Sequence, residues 1–185
     1  REEKGSGATR LNFSADREKY KVGETAVIYL PESQNSHALI SIESGRKVLE
    51  QRWVQPEKGK NNVRIPITSQ MSPNIYVHVS MIQAHEGKTN DSPLRLYGII
   101  PLMVEDPKVV LNPLLVTPKE IKPKQKTSIS VSEKNGRKMT YTVAIVDEGL
   151  LGLTRFDTPD LKGYFYQREA LGVKTWDLFD DVVGA

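Results

Sequence analysis

Asp147 and Glu148 are adjacent carboxylates at the end of the apolar run Tyr141–Val146, with Gly149 directly after them. Paired carboxylates can work as general acid and base when their surroundings push the two proton affinities apart inside a cleft. Neighbouring residues at a strand end point in different directions, and no nucleophile or further polar partner lies near this pair in the sequence. From the residues alone, Asp147-Glu148-Gly149 reads as a strand terminus in which Gly149 supplies an unusual backbone conformation.

Other groups that could do chemistry are scattered. His37, His78 and His85 fall on different segments, and a His78/His85 pair lacks a third metal ligand at useful spacing. His78 alternates with Val77 and Val79, which puts it on the solvent face of a strand. Asp177, Asp180 and Asp181 read as the polar face of a helix rather than a calcium loop. No G-x-S-x-G, phosphate-binding loop or H-E-x-x-H occurs. The chain has no cysteine, which excludes disulfides and thiolate metal sites. Net charge is +3, and the Lys119–Lys126 run carries prolines and no aromatic, so it reads as a solvated loop rather than a nucleic-acid face. Asn12-Phe13-Ser14 and Asn90-Asp91-Ser92 fit a glycosylation sequon, a pattern too short to carry weight. No catalytic residue, metal ligand, cofactor, small-molecule substrate or nucleic-acid partner is expected. No apolar run approaches the roughly 20 residues of a membrane span.

The elements that must position these residues are strands. TAVIYL, HALISI, KVLEQRWV, NNVRIPIT, NIYVHVSM and LRLYGIIPLMV are alternating runs separated by turn residues. Val63, Ile65 and Ile67 share one face, as do Ile75, Val77, Val79 and Met81. Pro66 cannot donate to a ladder, so its strand lies at an edge or bulges there. The pattern predicts an antiparallel β-sandwich over residues 11–104, after a polar tail at 1–10.

Beyond Glu105-Asp106-Pro107, VVLNPLLVTP and the runs on either side of Asn135-Gly136 predict further strands and a hairpin. KYKVGETAVIYL and EIKPKQKTSISV resemble each other about 100 residues apart, which suits tandem domains. The strands stop near Thr154. In TWDLFDDVV, Trp176, Phe179 and Val183 follow a helical period with Thr175 as N-cap. The fold expectation is therefore all-β: two tandem antiparallel sandwiches, the second (105–185) incomplete and ending in a short helical segment.

The stretch VAIVDEGLLGLTRFDTPD, followed by YFYQREALGVKTWDLFDDVVGA, closely resembles the alpha-2-macroglobulin family, in particular its bacterial members. In that family a strand ending V-D-E-G-(I/L)-L-x-L-T-x-(F/Y)-x-T-P leads to an aromatic-rich segment and then L-x-V-x-T-x-D. Here these positions are Val146, Asp147, Glu148, Gly149, Leu150, Leu151, Leu153, Thr154, Phe156, Thr158 and Pro159, then Leu171, Val173, Thr175 and Asp177. Tyr20-Lys21-Val22-Gly23-Glu24 resembles the Y-x-x-G-(E/D) entry of macroglobulin-like domains, and HALISIESGRKVLEQRWV the hairpin of the preceding domain.

The resemblance implies a scaffold portion of a protease trap. In such a trap an endopeptidase cuts a bait region and the molecule closes around it. The internal Cys–Gln thioester of many members cannot lie in a chain without cysteine. The resemblance places the bait region just past Ala185, so Thr175, Trp176, Asp177 and Phe179 become bait-proximal, with Trp176 and Phe179 pinning the last helix. It makes Val146, Asp147, Glu148, Gly149, Leu150 and Leu151 a structural motif that turns the chain toward the bait. The implied partners are target endopeptidases and neighbouring domains of the same parent chain. An incomplete second domain would also expose apolar surface through which copies could associate. The implied location is the periplasm or cell envelope, through an upstream export or lipoprotein signal. The alternative is an envelope binding or adhesion module, with Trp53, Tyr76 and Tyr97 as an aromatic platform.

Overall fold

The computed structural model describes residues 9–33, 35–83, 94–155 and 157–176. It is mostly β, with a few short helices. Its contacts divide the chain into two units. One comprises the residues up to Asp106 together with those from Tyr166 onward; the other is Pro107–Phe165.

In the first unit, six strands form one sheet: β1 (Thr9–Arg10), β3 (Lys19–Lys21), β5 (Ser36–Glu43), β6 (Val48–Val54), β8 (Asn74–Gln83) and β9 (Leu94–Glu105). A second sheet has the order β2-β4-β7, from Ser14–Ala15, Thr25–Tyr29 and Asn62–Pro66. All six alternating runs of this half are strands. β7 is an edge strand pairing only with β4, and Pro66 ends it opposite Thr25.

The registers explain the core. Ile40 lies opposite Val79, Ile42 opposite Val77, and Ile75 opposite Leu102. Ala26 and Ile28 face Ile65 and Val63 across the smaller sheet. All of these side chains are buried in one cluster drawn from both sheets. Each fully buried aliphatic side chain contributes roughly 1.5–3 kcal/mol, so period-two alternation on both sheets suffices to hold the layers together.

β9 is the hub of the larger sheet. One edge runs antiparallel to β8; the other receives β1 at Leu96–Tyr97 and β3 at Met103–Glu105, both parallel. The Tyr97 carbonyl accepts from Leu11 N–H (2.8 Å), and Met103 N–H donates to the Glu18 carbonyl (2.9 Å). Pro101 stands between them in the same outward phase and has no N–H to offer. The handover from β1 to β3 thus falls where the ladder lacks a donor.

The second unit is sparser. β10 (Pro113–Val116) pairs antiparallel with β11 (Ser130–Glu133). Two short helices follow, α1 (Glu148–Thr154) and α2 (Leu161–Phe165), with no buried residue in either. Three expectations change here. The Asn135-Gly136 turn forms, but only Gly136 takes positive φ (+70°). Gly136 N–H donates to the Glu133 carbonyl (2.9 Å), and the Glu133 carboxylate holds the loop through Asn135 N–H (2.7 Å) and Arg137 N–H (3.1 Å). The strand before the turn pairs backward with β10, so Asn135-Gly136 does not close a hairpin between its own flanks.

Second, Tyr141–Val146 forms no strand. Its alternating Tyr141, Val143 and Ile145 stay exposed, Ile145 at 72%. Alternation fixes which face a strand would bury, but a strand exists only when another strand pairs with it. Third, Asp177 and Phe179 of the expected terminal helix lie outside the described residues. Thr175 and Trp176 carry no regular structure, and Trp176 is 90% exposed, so it pins nothing among the described residues.

Candidate functional site

The Val146–Leu151 motif is a helix start. Asp147 has extended backbone and is the N-cap of α1; its Oδ1 accepts from Gly149 N–H at 2.9 Å. Glu148 occupies the first turn, where a negative charge is favoured by the helix dipole. Gly149 sits inside the helix, without positive φ. Leu150 is half exposed, and the Thr154 hydroxyl donates back to the Leu150 carbonyl (2.9 Å). Arg155 closes the helix in the left-handed region at φ 50°. A capping sequence D-E-G immediately before an apolar Leu-Leu pair is the signal that could have found this helix.

At the entry motif, Tyr20 is buried and its hydroxyl donates to Asp16 Oδ1 at 2.7 Å, with the Arg17 carbonyl equally near. The same Asp16 oxygen accepts Val27 N–H (2.7 Å). Gly23 turns the chain at φ +96°, and the Glu24 carboxylate accepts from Lys21 N–H (2.7 Å) and faces Arg17 (3.3 Å). Burial, then the Asp16 hydrogen bond, pushes the Tyr20 hydroxyl up to about 12. The Tyr20 hydroxyl holds Asp16 below the ordinary carboxylate value, and Val27 N–H adds to this. These polar groups lock a turn.

The residues after α2 return to the first unit as a strap on the outer face of the larger sheet, the face away from the core. The Asn74 carboxamide pairs with the peptide of Glu169: Glu169 N–H donates to Oδ1 (2.7 Å), and Nδ2 donates to the Glu169 carbonyl (3.1 Å). The Tyr76 hydroxyl donates to that carbonyl as well (2.9 Å). The Arg168 guanidinium lies over the Tyr76 ring, 5.7 Å from its centre. A Cβ on Gly45 would come within 2.6 Å of the Glu169 side chain, and one on Gly172 would run into the Gly45 carbonyl.

Beside the strap, Glu43 is buried, opposite Tyr76 in the register. Its Oε1 accepts from the Ser41 hydroxyl (2.7 Å) and lies 3.7 Å from His78 Nδ1; Oε2 has no hydrogen-bond partner among the described residues. His78 is on the predicted face, but with 18% of its side chain exposed rather than open to solvent. His37 meets Gln55 (2.6 Å), and His85 lies outside the described residues. Trp53, Leu39, Ser80 and Tyr97 form one row across the open part of this face, with Trp53 and Tyr97 exposed; Tyr76 is buried at the strap end. Among the described residues, no three His, Asp or Glu side chains gather as a metal site.

A mostly β module, whose described polar side chains fix turns and a strap, is the class that this fold and these sites define. Residues 11–153 match the family model of the alpha-2-macroglobulin bait region domain, and the chain belongs to that family. The family is one of protease inhibitors and not of enzymes. The alpha-2-macroglobulin of Xylella fastidiosa is 25% identical over 181 residues, covering 94% of this chain and 11% of its own length. That of Escherichia coli K12 is 23% identical over 188 residues, covering 97% of this chain and 11% of its own length. The crystal structure of Salmonella alpha-2-macroglobulin reacted with methylamine shares the fold at a TM-score of 0.50 and 18% identity, over 89% of this chain and 11% of that one. The chain thus spans about a tenth of the length of the relatives it matches.

Proposed function

We propose that this chain is the bait-supporting scaffold of a bacterial protease trap. The observation that carries the reading is the match of residues 11–153 to the bait region domain. In this reading the first unit is a macroglobulin-like sandwich and the second an incomplete one, finished by strands that follow the bait. The exposed alternation at Tyr141, Val143 and Ile145 supports this, because it is the face that a missing partner strand would cover. The bait lies past Ala185, the partners are endopeptidases and the neighbouring domains of the same parent, and the protein works in the periplasm or cell envelope. Isolated copies associate through the uncovered second unit.

The reading is tested on the longer parent chain with limiting amounts of several endopeptidases. First cuts clustered just past Ala185, with a fall in radius of gyration by small-angle scattering, are expected. Cuts spread over loops without compaction would sink it. They would leave a second reading, a binding module using the exposed row of Trp53 and Tyr97.

A further inference from the structure

The strap from Arg168 to Gly172 is attached in an unusual way. It adds no strand to the sheet. Its peptide at Glu169 is gripped instead by two side chains of β8, Asn74 and Tyr76, from 95 and 93 residues away. Asn74 is 1% exposed and spends its whole carboxamide on the backbone N–H and carbonyl of this one residue. The crossing at Gly45 and Gly172 leaves room for no side chain. This is recognition of a backbone, specified by an amide and two glycines.

The attachment is also small. Of the strap residues, only Glu169 is even half-buried, and the Arg46–Glu169 ion pair (3.8 Å) is open to solvent. The sheet beside it holds Glu43, whose position opposite Tyr76 and two residues before Gly45 puts it between two points where the strap touches. A carboxylate oxygen buried without a partner opposes the closed state, because opening returns it to water.

We propose that Arg168–Gly172 is a releasable latch on the outer face of the larger sheet. Asn74 and the Gly45/Gly172 crossing hold it shut, and the half-partnered Glu43 favours its opening. While it is closed, Arg168–Gly172 is fixed to the sheet through Glu169; when it opens, that anchor is lost. The inference stands on the contacts of this chain and does not depend on the protease-trap reading.

Trypsin tests it on the intact chain. The Arg168–Glu169 bond is protected only while Asn74 and Tyr76 hold Glu169, since a protease must bind that peptide extended. Asn74→Ala should speed this cut by roughly tenfold or more, because proteolysis of a fast-opening segment tracks its open population. Gly172→Ala, which alters the strap and not the sheet, should do the same. Glu43→Gln should slow it. Arg52 in β6 and Arg64 in β7 report the larger and the smaller sheet and should stay uncut throughout. Should Asn74→Ala unfold the sheet, Gly172→Ala decides. An unchanged rate at Arg168 in Gly172→Ala, or a rate that does not fall in Glu43→Gln, would overturn the proposal.

Discussion

Tyr20 and Asp16 are joined by a 2.7 Å hydrogen bond from phenol to carboxylate, and the same carboxylate oxygen accepts the N–H of Val27 in β4. The Asp16 side chain thus ties β3 of the larger sheet to β4 of the smaller one. Tyr20→Phe keeps the buried ring but leaves Arg17 N–H without the phenol oxygen it donates to (2.9 Å). A loss of about 1–2 kcal/mol in urea unfolding is expected; no loss would mean that the motif tyrosine serves packing alone.

Alkali should reveal the same tyrosine. Its folded value, about 12, lies above the ordinary 10.0. The neutral phenol is favoured in the native state, so the contribution is complete below pH 10 and is lost as the pH rises toward 12. In a spectrophotometric titration of the chain's 7 tyrosines, one should ionise late, and that late step should vanish in Tyr20→Phe.

Acid acts in the opposite sense. Arg137 N–H, with Asn112 and Asn135 N–H, holds Glu133 below its ordinary value, and Asp16 is lowered mainly by Tyr20. Depressed carboxylates contribute stability that is present above the ordinary values of 3.8 and 4.5 and is lost as the pH falls through the lowered ones. Glu133→Gln should flatten the acid response of the second unit only. Resonances of Ser130–Arg137, followed against pH, would report it, and an unchanged profile would contradict the role given to that carboxylate.

The two units should respond oppositely to truncation of apolar side chains. Ile40→Ala, in the core, is expected to cost about 2–5 kcal/mol. Ile145→Ala, at an exposed site, should stay within about 0.5 kcal/mol in chain dilute enough to be monomeric by sedimentation. A large cost at Ile145 in that monomer would mean that other residues of the same chain cover this face.

At the motif of adjacent carboxylates, Asp147→Ala removes the cap of α1 and should lower local helicity by the equivalent of about 1 kcal/mol. Asp147→Asn and Glu148→Gln should be nearly silent, since asparagine caps as well and Glu148 makes only a dipole contribution. Amide exchange at Leu150 and Leu151, whose N–H groups donate to the Asp147 carbonyl, reads this directly. A hydrolytic activity lost in both conservative variants would overturn the structural role.

The sequence by itself determined the six longer strands of the first unit, though not the short β1, β2 and β3, the first of which falls at Thr9–Arg10 in the expected tail; it also determined the shared face of Val63, Ile65 and Ile67, the edge position of Pro66, and the family. These are local properties: period two, turn residues and motif order are written in neighbouring residues. Tertiary structure alone decided that Tyr141–Val146 goes unpaired, that Ser130–Glu133 pairs back with Pro113–Val116 rather than across the Asn135-Gly136 turn, and that Asn74 grips Glu169. Each depends on which distant segment arrives to pair, cover or accept. A buried asparagine in an alternating strand announces that a polar partner must exist, but only the folded chain brings the backbone of Glu169 to it.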